Sequence, residues 1–74
     1  MKYKILKTDG TSETIVSDRK LTLDQMQAVV GGLIEYFEHN GETFVCNEEG
    51  IILGLPRNPH FIDRFIFGEV IVLK

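Results

Sequence analysis

The sequence of residues 21–35 is LTLDQMQAVVGGLIE, and it contains a helix start, an apolar stripe and a helix stop in that order. Thr22 is a favourable N-cap because its hydroxyl can accept a hydrogen bond from a free backbone N–H of the first turn. Gln25 follows three residues later, where its side chain can reach back to the Thr22 N–H and complete a capping box. We therefore predict a helix of about eight residues, roughly 12 Å long. A helix this short is unstable alone, so it must pack on a sheet.

The paired glycines Gly31 and Gly32 allow two interpretations. A glycine after a helix can adopt a positive φ and end it. Glycine pairs also occur in phosphate-binding loops, but there they precede a helix N-terminus, where the dipole attracts anions. Here the pair follows a helix C-terminus, where the dipole is negative. The order favours a C-cap and a turn into a strand.

Length and composition predict one globular domain spanning residues 1–74. The formal net charge is −3 and no basic stripe is present, which disfavours nucleic-acid binding. The single cysteine, Cys46, excludes an internal disulfide framework and fits a reducing compartment. Residues 1–7 lack the apolar run of a signal peptide, and no stretch approaches the ~20 apolar residues of a membrane span. We expect a cytoplasmic protein with no membrane contact.

Strand signals lie on both sides of the predicted helix. Asp9-Gly10 and Asn40-Gly41 are hairpin turn signals, and the segments beside them alternate apolar and polar residues or are rich in β-branched ones. The strands predicted from these patterns cover residues 2–8, 14–16, 33–38 and 43–46, with a further short strand at 51–53.

The C-terminal third predicts a second helix and a buried strand. Asn58 can cap a short helix with Pro59 at its first position, running through Arg64. The buried side of that helix would carry Phe61, Phe65 and Ile62. Residues 69–74 form the last predicted strand, which is apolar on both faces and should lie inside the sheet. The order β-β-α-β-β-(β)-α-β predicts an α+β domain with a mixed sheet and one packed helix, as in β-grasp domains.

Few residues could carry catalytic or metal chemistry. His39, Cys46 and His60 lack the paired spacing of a structural zinc site. Cys46 and a distant histidine could form a nucleophile pair, but a cysteine in an alternating strand is usually a small buried filler. The sequence contains no phosphate-binding loop, dinucleotide fingerprint or serine triad motif. We predict no enzymatic activity, no cofactor and no metal site.

Four residues are candidates for contact with a ligand or partner: Glu35, Tyr36, Arg57 and Asn58. Arg57 and Asn58 lie in a proline-rich loop that could hold a carboxylate, a phosphate or a partner's backbone, although Asn58 could simply cap the following helix. Glu35 lies on an apolar face of its strand, so if buried it needs a partner, which Arg57 or Arg64 could supply. Tyr36 offers an exposed aromatic ring for docking.

Three stretches together resemble a known family: LDQMQAVVGGLIEYF, VCNEEGIILGLPRN and FGEVIVL. The family comprises small uncharacterised domains, encoded mainly by bacteriophages, plasmids, their bacterial hosts and some large DNA viruses. Its pattern is V-G-G-x-I-E, then N/D-E-E-G, then L-P-x-N, then a glycine before a hydrophobic strand. The matching positions are Val30, Gly31, Gly32, Ile34, Glu35, Asn47, Glu48, Glu49, Gly50, Leu55, Pro56, Asn58 and Gly68. The resemblance implies a mobile-element or viral origin and supplies no reaction.

We interpret the shared motifs as structural: two glycine turns, a capped helix and a glutamate that pairs internally. The family often has an alanine-rich helix after the asparagine, where this chain has Pro59-His60-Phe61.

The sequence leaves two main functional hypotheses. The first is a small non-enzymatic binding protein of viral or mobile-element origin that modulates a host or viral protein. It would use a protein-docking surface and could also form a homodimer through a sheet edge. The second is a small-ligand or nucleotide-binding protein that sequesters a signalling nucleotide, with Glu35, Arg57 and Asn58 lining its site. A weak enzyme centred on Cys46 is a third hypothesis, for which no substrate suggests itself.

Overall fold

Within the part of the chain that the structure describes, one helix packs against a five-stranded sheet. The computed structural model describes residues 1–73, and its elements in chain order are β1 (Lys2–Leu6), β2 (Ser12–Val16), α1 (Leu23–Val30), β3 (Ile34–His39), β4 (Glu42–Asn47) and β5 (Val70–Val72). The strand order across the sheet is β2-β1-β5-β4-β3. The predicted α+β class is therefore confirmed.

All neighbouring strands are antiparallel, so the predicted mixed sheet is wrong. The segment between β4 and β5 begins and ends at the same end of the sheet. The chain therefore enters β5 running opposite to β4, and β1 on the other side also runs opposite to β5. The likeness to β-grasp domains stays unconfirmed.

Both ends of α1 form as the sequence predicts. The Thr22 hydroxyl accepts from the Gln25 N–H at 3.1 Å, and the Gln25 side chain accepts from the Thr22 N–H at 2.9 Å. At the other end Gly31 has a φ of 85°, and its N–H donates to the Gln27 carbonyl at 2.8 Å. The glycine pair is thus a C-cap, and Met26 and Val30 are buried.

The sheet is covered on both faces. On the helix face a buried cluster comprises Tyr3, Met26, Val30, Val45 and Ile71. On the opposite face a second cluster comprises Phe44, Cys46, Phe61 and Val70. β5 lies at the centre, with Val70 and Ile71 fully buried in the two different clusters. The prediction of an interior last strand is confirmed for residues 70–72, while Lys74 lies outside the described residues.

The second face is covered by residues 48–69, which we call the covering segment. It contains neither the predicted strand at 51–53 nor the predicted helix from Asn58 to Arg64. The first part forms consecutive turns instead, because the Leu53 N–H donates to the Glu49 carbonyl and the Leu55 N–H to the Gly50 carbonyl. These bonds join backbone groups within the segment instead of joining them to a neighbouring strand.

The second part of the covering segment is a loop closed by an isolated bridge between Arg57 and Phe67. The Asn58 N–H donates to the Ile66 carbonyl at 2.8 Å, which holds the two ends of the loop together and prevents a helical path. Of the three side chains predicted to be buried here, only Phe61 is buried. Ile62 and Phe65 are exposed.

The hairpin between β3 and β4 forms as predicted. Asn40 and Gly41 both have positive φ values, 52° and 81°, which a two-residue turn of type I′ requires. Among residues 1–73, no helix has the length and apolar character needed to cross a bilayer.

Candidate functional site

An open groove of about 340 Å³ lies on the sheet face opposite the helix. Its floor comes from β3 and β4, and its walls come from both parts of the covering segment. We call it the acidic groove, and its lining residues are Glu35, Cys46, Asn47, Glu48, Glu49, Gly50, Ile51, Ile52, Phe65, Ile66 and Phe67. Three of the described lining residues are carboxylates, and none is a lysine or an arginine.

The rim of the acidic groove carries large exposed apolar side chains. Ile52 is 81% exposed and Phe65 is 75% exposed, with the exposed Ile51 beside them. These side chains face solvent because the turns that carry them close locally and point away from the cluster around Phe61. Scattered exposed apolar residues are ordinary, but several grouped at a groove are typical of an interaction site.

Arg57 positions Phe65 at one side of the groove. Its guanidinium lies 4.8 Å from the centre of the Phe65 ring, a cation–π distance. The same guanidinium donates to the Ile62 carbonyl at 2.9 Å and to the Arg64 carbonyl at 3.4 Å. Phe65 is therefore positioned by its neighbours although most of its surface is open to solvent.

The floor of the groove contains Cys46 and Glu35 side by side. The Cys46 thiol lies 4.0 Å from the Glu35 carboxylate, to which it can donate a weak hydrogen bond. Burial is the larger cause and the Glu35 carboxylate the smaller one in raising the pKa of Cys46 to about 11, and Arg64 opposes the effect. The thiolate is the reactive form of cysteine. Cys46 is therefore a protonated, unreactive thiol at neutral pH.

Glu35 is exposed and lines the groove, but its predicted ion pair with Arg57 or Arg64 is wrong. Within the described part of the chain, the one contact between a basic and an acidic side chain is that of His39 with Asp63 at 3.9 Å. Both arginines donate to backbone carbonyls instead, Arg64 to that of Glu38 at 2.8 Å. Since Glu35 stays in contact with water, it needs no buried counter-charge.

Asn58 does not belong to the groove. It is fully buried, and its amide NH₂ donates to the Leu6 carbonyl at 2.8 Å and the Gly68 carbonyl at 3.0 Å. Its side-chain oxygen accepts from the His60 N–H at 3.0 Å. The proposed ligand contact is therefore corrected to a structural role, because no surface of Asn58 remains for a ligand. The Asn58 side chain does cap a following backbone N–H, as the sequence suggests, but the structure that it caps is a turn and not a helix.

Tyr36 lies on the other face of the sheet. It is 56% exposed and borders a separate groove of about 530 Å³ beside the start of α1. Residues adjacent in a strand point to opposite faces, so Tyr36 and Glu35 cannot share a site. The four candidates from the sequence thus divide among the acidic groove, the helix face and the buried interior.

Residues of the family motifs make close contacts with distant parts of the chain. Asn47 is buried, and its side chain donates to the Val30 carbonyl at 3.0 Å and accepts from the Glu49 N–H at 2.7 Å. It thereby joins the end of α1 to the acidic turn. Gly50 lies against Phe67, so close that an added Cβ would be 2.8 Å from the Phe67 carbonyl oxygen. These contacts support the structural interpretation of the motifs.

The apolar rim of the groove is not predicted from the sequence. The available signal was the run Ile51-Ile52-Leu53, which follows two glutamates and does not alternate with polar residues. Phe65 carried no such signal, since its exposure follows from the loop that replaces the predicted helix.

No cluster of three or more histidine, cysteine, aspartate or glutamate side chains arranged to hold a metal ion occurs within residues 1–73.

A family model described as "Domain of unknown function (DUF3846)" matches residues 1–74. Comparisons with curated proteins and with solved structures found no match. The resemblance to an uncharacterised family is confirmed by the family match, while the phage, plasmid and viral distribution stays a prediction.

Proposed function

We propose that this chain, which belongs to the DUF3846 family, is a non-enzymatic protein-binding domain. Its acidic groove would hold a partner segment that presents an apolar side chain next to a lysine or arginine. The observation that carries the proposal is the combination of three carboxylates with an exposed isoleucine and phenylalanine rim in one open groove.

Such a partner would match both the apolar and the acidic side chains of the groove. Ile52 and Phe65 offer apolar surface that is favourable to remove from water. Glu48 lies exposed beside them and Glu49 partly so, and both would attract a cationic side chain at the rim. Apolar contact supplies most of the affinity in such an arrangement, while the charges speed the encounter and exclude acidic partners.

The state of Cys46 supports a binding role over a catalytic one. Burial and the neighbouring Glu35 together raise the pKa of Cys46 to about 11, so the thiol stays protonated under physiological conditions. His39 and His60 do not line the acidic groove, so neither is placed to act there as a base. A thiol whose pKa is raised, and which has no histidine beside it in the groove, is poorly suited to covalent catalysis.

The nucleotide-binding hypothesis has no supporting observation, and we do not propose it. Carboxylates in the acidic groove would repel phosphate groups. The Arg57 guanidinium is occupied by two backbone carbonyls, and Asn58 is buried.

The family resemblance supports a further proposal on origin: a viral or mobile-element gene, acting in the cytoplasm of its host. A single cysteine kept as a thiol is consistent with that compartment. The genomic neighbourhood of the gene tests the origin directly.

The binding proposal is tested by selecting peptides from a random display library on the immobilised protein. Recovered peptides should be enriched in lysine or arginine next to a large apolar residue. The double substitution Ile52→Ser and Phe65→Ser should weaken their binding at least about tenfold, or about 1.4 kcal/mol, since it removes the two large exposed apolar side chains that the partner segment would cover. Replacing Glu48 and Glu49 by glutamine should weaken binding less and reduce its salt dependence.

The matched control is the double substitution Val16→Ser and Ile62→Ser, which removes equally exposed apolar surface outside the groove. It should leave peptide affinity unchanged. Peptides that bind the groove variant and the wild-type protein equally well would refute this location, and a selection without basic enrichment would refute the partner chemistry.

A further inference from the structure

β2 is an open edge of the sheet. Among the strands of residues 1–73, its one neighbour is β1. The Ser17 N–H donates to the Met1 carbonyl at 2.8 Å, and the Lys7 N–H donates to the Thr11 carbonyl at 2.9 Å. These two bonds show which residue pairs between β1 and β2 are hydrogen-bonded to each other. Hydrogen-bonded and non-hydrogen-bonded pairs alternate in an antiparallel ladder. The N–H and C=O groups of Ser12, Thr14 and Val16 therefore point away from β1, toward solvent.

The other edge strand, β3, is partly blocked. The Glu48 N–H donates to the Leu33 carbonyl, so the alternation points the Glu38 carbonyl outward, away from β4. The Arg64 guanidinium occupies that outward carbonyl at 2.8 Å and lies 5.2 Å from the centre of the Phe37 ring. An incoming strand would have to displace this arginine. Capping or charging an edge in this way is a common means of preventing strand addition.

We propose that β2 pairs with β2 of a second copy of this chain, antiparallel and across a two-fold axis at Thr14. The two five-stranded sheets would then join into one continuous sheet. Thr14 would face Thr14 of the second copy in a hydrogen-bonded pair, with Ser12 facing Val16 and Glu13 facing Ile15. A two-fold axis makes each contact occur twice, which is the usual symmetry of a homodimer.

The sequence of β2 is self-complementary in this register. No like charges stand directly opposite each other, and a threonine pair across two strands is favourable. Val16, which is 73% exposed in the single chain, gains neighbours from the other strand. Residues 12–16 contain no lysine or proline, the residues that natural edges use against pairing.

Repulsion between the Glu13 side chains of the two copies opposes the dimer. Glu13 would lie diagonally from Glu13 of the second copy, about 7–8 Å away on the helix face. This repulsion, together with the small area that two five-residue strands bury, points to weak association with a dissociation constant of about 0.1–1 mM. Glu13→Gln should remove the repulsion and tighten the dimer several-fold.

Sedimentation equilibrium between about 0.02 and 2 mM wild-type protein measures the association, and cysteine cross-linking locates it. The Cα atoms of a hydrogen-bonded antiparallel pair are about 5.5 Å apart, within the range that a disulfide spans. Thr14→Cys should therefore form covalent dimers under mild oxidation. Buried Cys46 is common to all variants and provides the same background.

Two variants serve as controls. Ser12→Cys would be roughly 14 Å from its own copy, four residues along the strand, and should cross-link much more slowly. Tyr36→Cys lies at the centre of β3 and reports pairing through the other edge. Circular dichroism confirms that each variant is folded.

The expected result is a reversible dimer in the wild type, tightened by Glu13→Gln, with cross-linking fastest for Thr14→Cys. A monomeric wild type at every concentration would overturn the proposal. Equal cross-linking of Ser12→Cys and Thr14→Cys would refute the register, and faster cross-linking of Tyr36→Cys would refute the choice of edge.

Discussion

At the scale of single residues, the motif asparagines act as internal connectors. Asn47 links the last carbonyl of α1 to the acidic turn, and Asn58 links the end of β1 to Gly68. A buried amide can supply two donors and an acceptor at one point, which no apolar residue can do. These positions are therefore explained by the folding of an irregular segment onto a sheet.

Gly50→Ala should destabilise the protein by about 1–3 kcal/mol, because the new methyl group would overlap the Phe67 carbonyl, a backbone atom that cannot easily move. Urea denaturation measures the change. Gly54→Ala is the control, since an added Cβ meets nothing there and only its φ of 69° is unfavourable. A smaller effect at Gly50 than at Gly54 would show that the close approach is unimportant.

The raised pKa of Cys46 predicts a pH dependence of stability. Below the ordinary value of 9.0 the thiol is protonated in both folded and unfolded chains. Between pH 9 and about 11 only the unfolded chain ionises, so the free energy of unfolding falls through this window. Comparing pH profiles of wild type and Cys46→Ala isolates this contribution from tyrosine and lysine titration.

Thiol modification provides a second measurement of the same pKa. Glu35→Gln removes the carboxylate that helps to raise the pKa of Cys46, so the reaction with a thiol reagent should begin at lower pH in that variant. An unchanged profile would contradict the contact between Glu35 and Cys46.

At the scale of elements, α1 combines local signals with tertiary support. Its capping box and glycine C-cap are formed, but eight residues cannot hold a helix without the sheet beneath. In the covering segment, long-range contacts override the local signals. Its local signals predicted a strand and a helix, and its path is set instead by hydrogen bonds from Asn58 and by the burial of Phe61.

Thr22→Ala should cost about 1 kcal/mol of stability by leaving a first-turn N–H without its acceptor. Thermal or urea unfolding followed by circular dichroism measures the loss. Thr22→Ser retains the hydroxyl and should recover most of the stability. If serine were as destabilising as alanine, the capping bond would not be the cause.

At the scale of the whole molecule, β5 holds two separate clusters together. Ile71 belongs to the cluster on the helix face and Val70 to the cluster under the covering segment. A chain of this length can bury only a small core. The clusters on both faces of the sheet therefore depend on one three-residue strand.

Ile71→Ala should therefore destabilise the protein by about 3–4 kcal/mol, a large part of the roughly 4–11 kcal/mol expected for a domain of this size. Denaturant titration measures it. The matched control Ile52→Ala removes the same atoms from an 81% exposed position and should change stability by less than about 0.5 kcal/mol. Equal losses at the two positions would contradict the assignment of β5 to the core.

The sequence by itself determined the parts of the protein whose cause is local. The caps of α1, the Asn40-Gly41 hairpin and the two-sided burial of β5 each depend on a few neighbouring residues or on one strand's pattern. The α+β class followed from these elements, and the resemblance to an uncharacterised family is confirmed by the family match.

Only the tertiary structure decided the antiparallel sheet, the irregular path of the covering segment and the make-up of the candidate site. Glu35 and Phe65 meet in the acidic groove because residues 30 positions apart are brought together by loop closure, which no local pattern encodes. The sequence neighbours of Asn58 suggest a surface loop, while its burial depends on hydrogen bonds to the carbonyls of Leu6 and Gly68. The physical reason is that local hydrogen bonds set the regular elements, whereas long-range packing sets which irregular residues reach the surface.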